Sequence, residues 1–181
     1  LREKWPDARV RFLVFRRNRA FLDILNIVDR EDIWTIDDAS LAAFASSVFA
    51  FRRRARRERI DTVLDYEIFS RASMILSFLS GARNRAGFSA YEAEGLYRGS
   101  LLTHPAFYNV YHHIALNFAA MVEALEGDPG EQPSTKRVIE ADLSPPRYEP
   151  PEARREAMRE RLRRQCPEWS DGRRLVVLSP F

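Results

Sequence analysis

The sequence predicts an α/β fold, most simply a doubly wound parallel sheet with helices on both faces. Three observations lead there. Short apolar runs of strand length alternate with amphipathic helical segments. The run from Val10 to Phe15 is β-branched and aromatic, suited to burial on both faces of a sheet. The stretch from Ile60 to Phe88 reads strand, helix, strand within about thirty residues, the size of a βαβ unit.

A chain of 181 residues can form one large domain, or one domain and part of another. With 45% hydrophobic residues and twelve Phe it can bury a real core. The lone Cys166 excludes an internal disulfide framework and fits a reducing compartment. No apolar run approaches the roughly 18 residues of a membrane span. The net charge of +3 rests mostly on clustered arginine. That permits peripheral contact with an anionic membrane or substrate and is too small a bias to argue for nucleic acid.

In chain order, Leu1 to Asp7 reads as the tail of a helix whose beginning is absent, closed by Trp5-Pro6-Asp7. Val10 to Phe15 is a β-branched and aromatic strand. Arg19 to Ile27 is a short helix turning Phe21, Leu22, Ile24 and Leu25 inward. Ile33 to Ile36 is a second strand. Ser40 is placed to cap a helix reaching Arg57 or Glu58, with Leu41, Phe44, Ala45, Val48 and Phe49 on its apolar face. The arginines from Arg52 to Arg59 gather at its end, where cations suit the negative pole of the helix dipole or form an anion-binding patch.

The βαβ stretch follows: Ile60 to Asp65 as strand, Ile68 to Leu79 as helix, Gly81 as stop, and Asn84 to Phe88 as strand. Ser89 to Tyr108 is expected to be an irregular connection, and a connection of that length is usually functional or mobile. Asn109 to Glu126 is the next helix, facing inward through Tyr111, Ile114, Ala115, Phe118, Val122 and Leu125. Six of the ten prolines fall between Pro129 and Pro151, so this stretch reads as a linker with one extended run at Arg137 to Leu143. The expected organisation is a domain over 1–128, a linker over 129–151 and the start of a second domain over 152–181. That second part opens on a charge-rich helix, Glu152 to Arg164, and reaches an apolar strand at Arg174 to Leu178.

Ligands of parallel sheets sit beyond the carboxyl ends of the strands, which singles out Asp65, Glu67 and Arg71. Asp65 and Glu67 form a carboxylate pair in sequence, although Asp65 also suits strand closure and capping of the next helix. Arg71 stands in a helix's first turn, where the dipole disfavours a cation. Glu67 four residues earlier, or an anionic ligand, offsets that cost. Arg98 and His104 on the long connection complete the candidate set. The adjacent His112 and His113 lack the i, i+4 spacing of a metal pair, and no metal site is expected. Phosphate-binding, dinucleotide-binding and nucleophile-elbow motifs are missing from the sequence.

The run VLDYEIFSRASMILSFLSGARNRAGF resembles the N-terminal domain of glycosyltransferase family 9, the ADP-heptose:lipopolysaccharide heptosyltransferases. The resemblance rests on Asp65 at a strand end, Glu67 two residues on, Arg71 in the following helix, and Gly81-Ala82-Arg83 through Arg85 to Gly87-Phe88. His113 with the helix to Leu125, and the strand from Arg174 to Pro180, are similar to later parts of that family. Glu67 stands where the family often has Gln, and Ala72-Ser73 departs from its usual Ser.

The resemblance implies a truncated Rossmann-like, acceptor-side half of a two-domain GT-B transferase whose first strand and catalytic acid/base precede Leu1. No catalytic residue is assigned within the chain, and the isolated fragment is expected to be inactive. The implied donor is a nucleotide-sugar, ADP-heptose, used as substrate with no cofactor or metal. The acceptor is a lipopolysaccharide core or related lipid-linked glycan, met by Asp65, Glu67, Arg71, Arg98 and His104. The implied location is the bacterial cytoplasm, at the inner face of the inner membrane. The competing expectation is a non-catalytic α/β module that binds an anionic partner through its arginine clusters.

Overall fold

The computed structural model describes residues 1, 4–68, 70–88, 101–130, 144 and 147–169. The chain divides into two compact units, Leu1–Pro145 and Pro146–Phe181, and the division falls inside the proline-rich stretch. The first unit is α/β, and every strand pair in it is parallel. Strands β1 (Phe12–Phe15) and β2 (Ile33–Ile36) are joined through helix α1 (Arg19–Leu25) and pair Phe12 with Ile33 through Phe15 with Ile36. Helix α2 (Leu41–Arg57) leads on to a second sheet. There β3 (Thr62–Asp65), β4 (Asn84–Phe88) and β5 (His104–Ala106) lie side by side in that order. Helix α3 (Arg71–Leu79) makes the β3-to-β4 crossover, and α4 (Ile114–Ala124) packs on β4 and β5.

The single sheet expected from the sequence is therefore two open parallel sheets among the described residues, with no described strand between β1 and β3. The connection expected to be irregular also holds a strand. The chain is led into β5 at His104 by Thr103, whose N–H donates to the Arg85 carbonyl at 2.9 Å while its Oγ1 accepts from the Arg85 N–H at 2.7 Å. The expected strands at Arg137 to Leu143 and Arg174 to Leu178 lie outside the described residues.

The core forms where β4 and β5 meet α4: Ala86, Phe88 and Ala106 pack with Met121 and Ala124, ringed by Leu64, Ile68, Tyr108, Phe118 and Leu125. Small residues on the strands let α4 approach closely, and Phe88 fills the space, edge-on to Tyr108 at 5.5 Å. Gly87 serves a close approach of a different kind. A Cβ there would meet Leu102 Cδ2 at 2.9 Å.

Three helices present faces rotated from those the periodicity predicts. In α4 the buried positions are Asn117, Met121 and Ala124, whereas Tyr111, ahead of the helix, is 93% exposed. Asn117 accepts from the Asn109 N–H at 2.7 Å and donates to the Asn109 carbonyl at 3.0 Å. A buried amide satisfied in this way fixes the rotation where hydropathy would not. In α2, Leu41 and Phe49 are 89% and 67% exposed. The helix is turned instead by Phe51, edge-on to Trp34 at 6.2 Å, and by Arg54, whose guanidinium lies 4.4 Å over the Trp34 ring. In α1, Leu22 is buried and Phe21 faces outward.

In the second unit, α5 (Glu152–Gln165) buries no residue and is laced by Glu–Arg pairs, among them Arg159 with Glu152 and Glu156, and Arg164 with Glu160 at 2.8 Å. Exposed pairs of this kind contribute a few tenths of a kcal/mol each. Cys166 follows it, exposed. No helix among the described residues is long and apolar enough to cross a membrane.

Candidate functional site

The site begins at Asp65, the last residue of β3 and 5% exposed. A carboxylate at a buried strand end must have its oxygens satisfied. Its Oδ1 accepts from the Glu67 N–H at 3.2 Å, and its Oδ2 accepts from the Ser73 hydroxyl at 2.9 Å. The expected capping of α3 by Asp65 does not occur. Ser70 is the N-cap, accepting from the Ser73 N–H at 3.1 Å. Asp65 acts one step further out, folding the β3-to-α3 turn around its own side chain.

That turn carries Tyr66 and Glu67 over the carboxyl edge of the sheet, towards the start of α4. Between them opens a crevice of about 570 Å3 lined by Tyr66, Glu67, Ile68, Ser70, Ile114 and Phe118. Tyr66 and Phe118 meet edge-on at 4.9 Å. Desolvation raises the Tyr66 phenol above the ordinary tyrosine value, although the residue as a whole remains 39% exposed. The crevice is shallow and open to solvent, and its lining combines aromatic and aliphatic side chains with a carboxylate and two hydroxyls.

The candidate residues separate. Asp65 and Glu67 lie together, Asp65 holding the turn and Glu67 lining the crevice. Arg71 opens α3, exposed, and the expected Glu67–Arg71 ion pair does not form among the described residues. His104 is 3% exposed on β5 and is not part of the crevice lining. Its Nδ1 lies 2.8 Å from Thr103 Oγ1. The same hydroxyl accepts from the Arg85 N–H at 2.7 Å and lies 3.4 Å from the Arg85 carbonyl, which ties His104 to the β4 backbone. Arg98 lies outside the described residues.

Tyr66, Ser70, Ile114 and Phe118 were not singled out from the sequence as ligand-facing. The one available signal was position, since Tyr66 directly follows a strand end. Ile114 and Phe118 read as core because they recur at helical spacing. Among the described residues no group of three His, Cys, Asp or Glu side chains could hold a metal ion.

The first unit is thus an α/β fold with parallel strands in open sheets and a shallow crevice at the carboxyl edge of β3. No family model, curated protein or solved structure matches the chain.

Proposed function

We propose that the crevice binds the acceptor of a sugar-transfer reaction, and that the chain is the acceptor-side part of a nucleotide-sugar-dependent glycosyltransferase acting on a lipopolysaccharide-core or related glycan. The observation that supports this reading is the lining itself. The Tyr66 and Phe118 rings offer apolar faces to the C–H side of a sugar, while Glu67 and the Tyr66 and Ser70 hydroxyls offer partners to its hydroxyl groups. Arg71, at the start of α3, would meet an acceptor phosphate. ADP-heptose is the proposed donor and makes no demand on a cofactor.

Calorimetric titration with a phosphorylated heptose-containing core oligosaccharide tests the reading. Binding that weakens about tenfold in both Tyr66→Ala and Glu67→Ala, roughly the loss of one good hydrogen bond or stacking contact each, supports it. Binding unaffected by either change refutes it. In the complete enzyme Arg71→Ala should raise the acceptor KM, and unchanged kinetics would remove Arg71 from the site. Turnover by the 181-residue chain alone would refute the placement of the catalytic group outside it.

A second reading has its own observation. Arg52, Arg53, Arg56, Arg57 and Arg59 are all exposed and make no ion pair among the described residues, whereas Arg54 in the same run is held by Glu58 at 2.9 Å. Arg52, Arg53 and Arg56 follow the exposed Phe49 at helical spacing, and α2 itself carries no acidic residue. Cations beside an exposed aromatic suit an anionic lipid surface. Vesicles containing phosphatidylglycerol should sediment the protein where pure phosphatidylcholine does not, and Phe49→Ser with Arg53→Ser should abolish this. Equal sedimentation with both vesicle types would exclude the reading.

A further inference from the structure

We propose that His113 is a pH-sensitive latch on one wall of the crevice. As a neutral imidazole it holds the first turn of α4 closed, and as an imidazolium it releases that turn. The latch acts on the wall itself and stands whatever ligand the crevice takes.

The latch begins with an uncommon cap. His113 has φ −57° and ψ 141°, outside the helical range, and its Nδ1 accepts from the Ala115 N–H at 3.2 Å. Helices α2 and α3 use a hydroxyl in the same role: Ser40 accepts from Ala43 and Ser70 from Ser73, each at 3.1 Å. Serine is among the preferred residues at this position, and histidine is not. A serine oxygen remains an acceptor at every ordinary pH. An imidazole nitrogen accepts only while it carries no proton.

Protonation therefore reverses the contact. The imidazolium has a donor on both nitrogens, so Nδ1 would turn an N–H against the Ala115 N–H. It also adds a cation at the positive end of the helix dipole, where a cation is unfavourable. Both effects have one sign. The cap exists only with the neutral ring, so its contribution is complete above the histidine range and lost as pH falls through it. Histidine is the side chain whose ordinary titration lies between about pH 5 and 8.

The turn at stake carries part of the crevice. The His113 carbonyl accepts from the Leu116 N–H at 2.9 Å and the Asn117 N–H at 3.4 Å. These bonds close the turn that begins with Ile114, a residue of the lining. One turn on, Asn117 is buried and bonded to both backbone groups of Asn109, so α4 is pinned there independently of the His113 ring. Phe118, held edge-on to Tyr66, follows that pin. Loss of the cap thus frees Ile114 and leaves Phe118 in place. The titratable and charged groups around the turn are His112 beside it, Tyr66 and Glu67 across the crevice, and Arg71 next to Ser70 at the start of α3. None of them forms an ion pair with His113 among the described residues, so the backbone contact is what proton binding to His113 disrupts.

Hydrogen exchange of the 181-residue chain at about pH 7.5 and about pH 5, on either side of the histidine range, tests it. Rates are corrected for the chemical effect of pH on exchange. Amides at 114–116 should open about fivefold more often at the lower pH, the factor to which loss of an ordinary cap corresponds. Those at 119–124 should be unchanged. His113→Ser should keep the high-pH protection at both pH values, because serine caps without titrating. His113→Ala should show the open turn at both, and His112→Ser should retain the wild-type response. Protection at 114–116 that is the same at both pH values overturns the latch. So does a pH response that persists in His113→Ser or disappears in His112→Ser. An equal change over 119–124 would mean that the whole helix opens, and would overturn it too.

Discussion

Arg59 occupies a backbone conformation that arginine tolerates poorly, which gives a direct test of how α2 ends. Its φ is +55°, in the left-handed region. The Arg59 N–H donates to the Arg56 carbonyl at 3.2 Å and the Ile60 N–H to the Ala55 carbonyl at 2.9 Å, the paired bonds of a Schellman cap. Glycine is the usual residue there, and the chain uses it in the corresponding place after α3, where Gly81 has φ +79°. A side chain in this conformation costs about 1–2 kcal/mol, while introducing glycine returns about 0.4–1 kcal/mol of entropy to the unfolded chain. Arg59→Gly should therefore stabilise the protein by about 0.5–1 kcal/mol. With a urea slope near 2 kcal/mol/M, the unfolding midpoint rises by about 0.4 M. Asn26 provides the control. It has φ +49°, but asparagine visits this region readily, so Asn26→Gly should gain nothing. Loss of stability in Arg59→Gly, or an equal gain in Asn26→Gly, would refute the reasoning. A stabilising change at Arg59 would also show that arginine is held there at a cost, as residues kept for binding are.

Asp65→Ala removes the acceptor of two hydrogen bonds at a buried strand end and should cost about 2 kcal/mol in urea unfolding; Asp65→Asn should recover most of it, because the Ser73 hydroxyl can turn to the Ser70 carbonyl at 3.0 Å. Asn117→Leu strands the Asn109 N–H and carbonyl and should cost about 3 kcal/mol, measured in the same way. Gly87→Ala forces Leu102 aside and should cost about 1 kcal/mol, with Leu102→Val restoring part of the loss. The Glu58 carboxyl is held below its ordinary value, first by its hydrogen bond to Arg54 and then by Arg11 against the opposing effect of burial. A depressed acid stabilises fully above its unfolded value, about 4.3, and less as pH falls through the folded one. The acid loss of stability should thus be shallower in Glu58→Gln between neutral pH and the acid limb, and identical profiles would exclude the Arg11–Glu58–Arg54 cluster as a contributor.

Local chemistry was legible in the residues themselves. Ser40 caps α2 by accepting from the Ala43 N–H at 3.1 Å, Gly81 ends α3, and the short runs at Ile33–Ile36 and Asn84–Phe88 are strands over those spans. Each depends on neighbours within a few positions, and so does the α/β alternation that gives the fold class. Tertiary structure decided what depends on distant partners. Which face α4 buries was set by Asn117 closing on the Asn109 backbone, against the pull of Tyr111 and Ile114. Whether His104 met solvent was set by β5 pairing with β4. The crevice arose because the turn organised by Asp65 placed Tyr66 against Phe118, 52 residues away. Periodicity ranks residues by hydrophobicity along one element, whereas burial is shared between elements, and a single satisfied amide or carboxylate can outweigh the difference between two apolar faces.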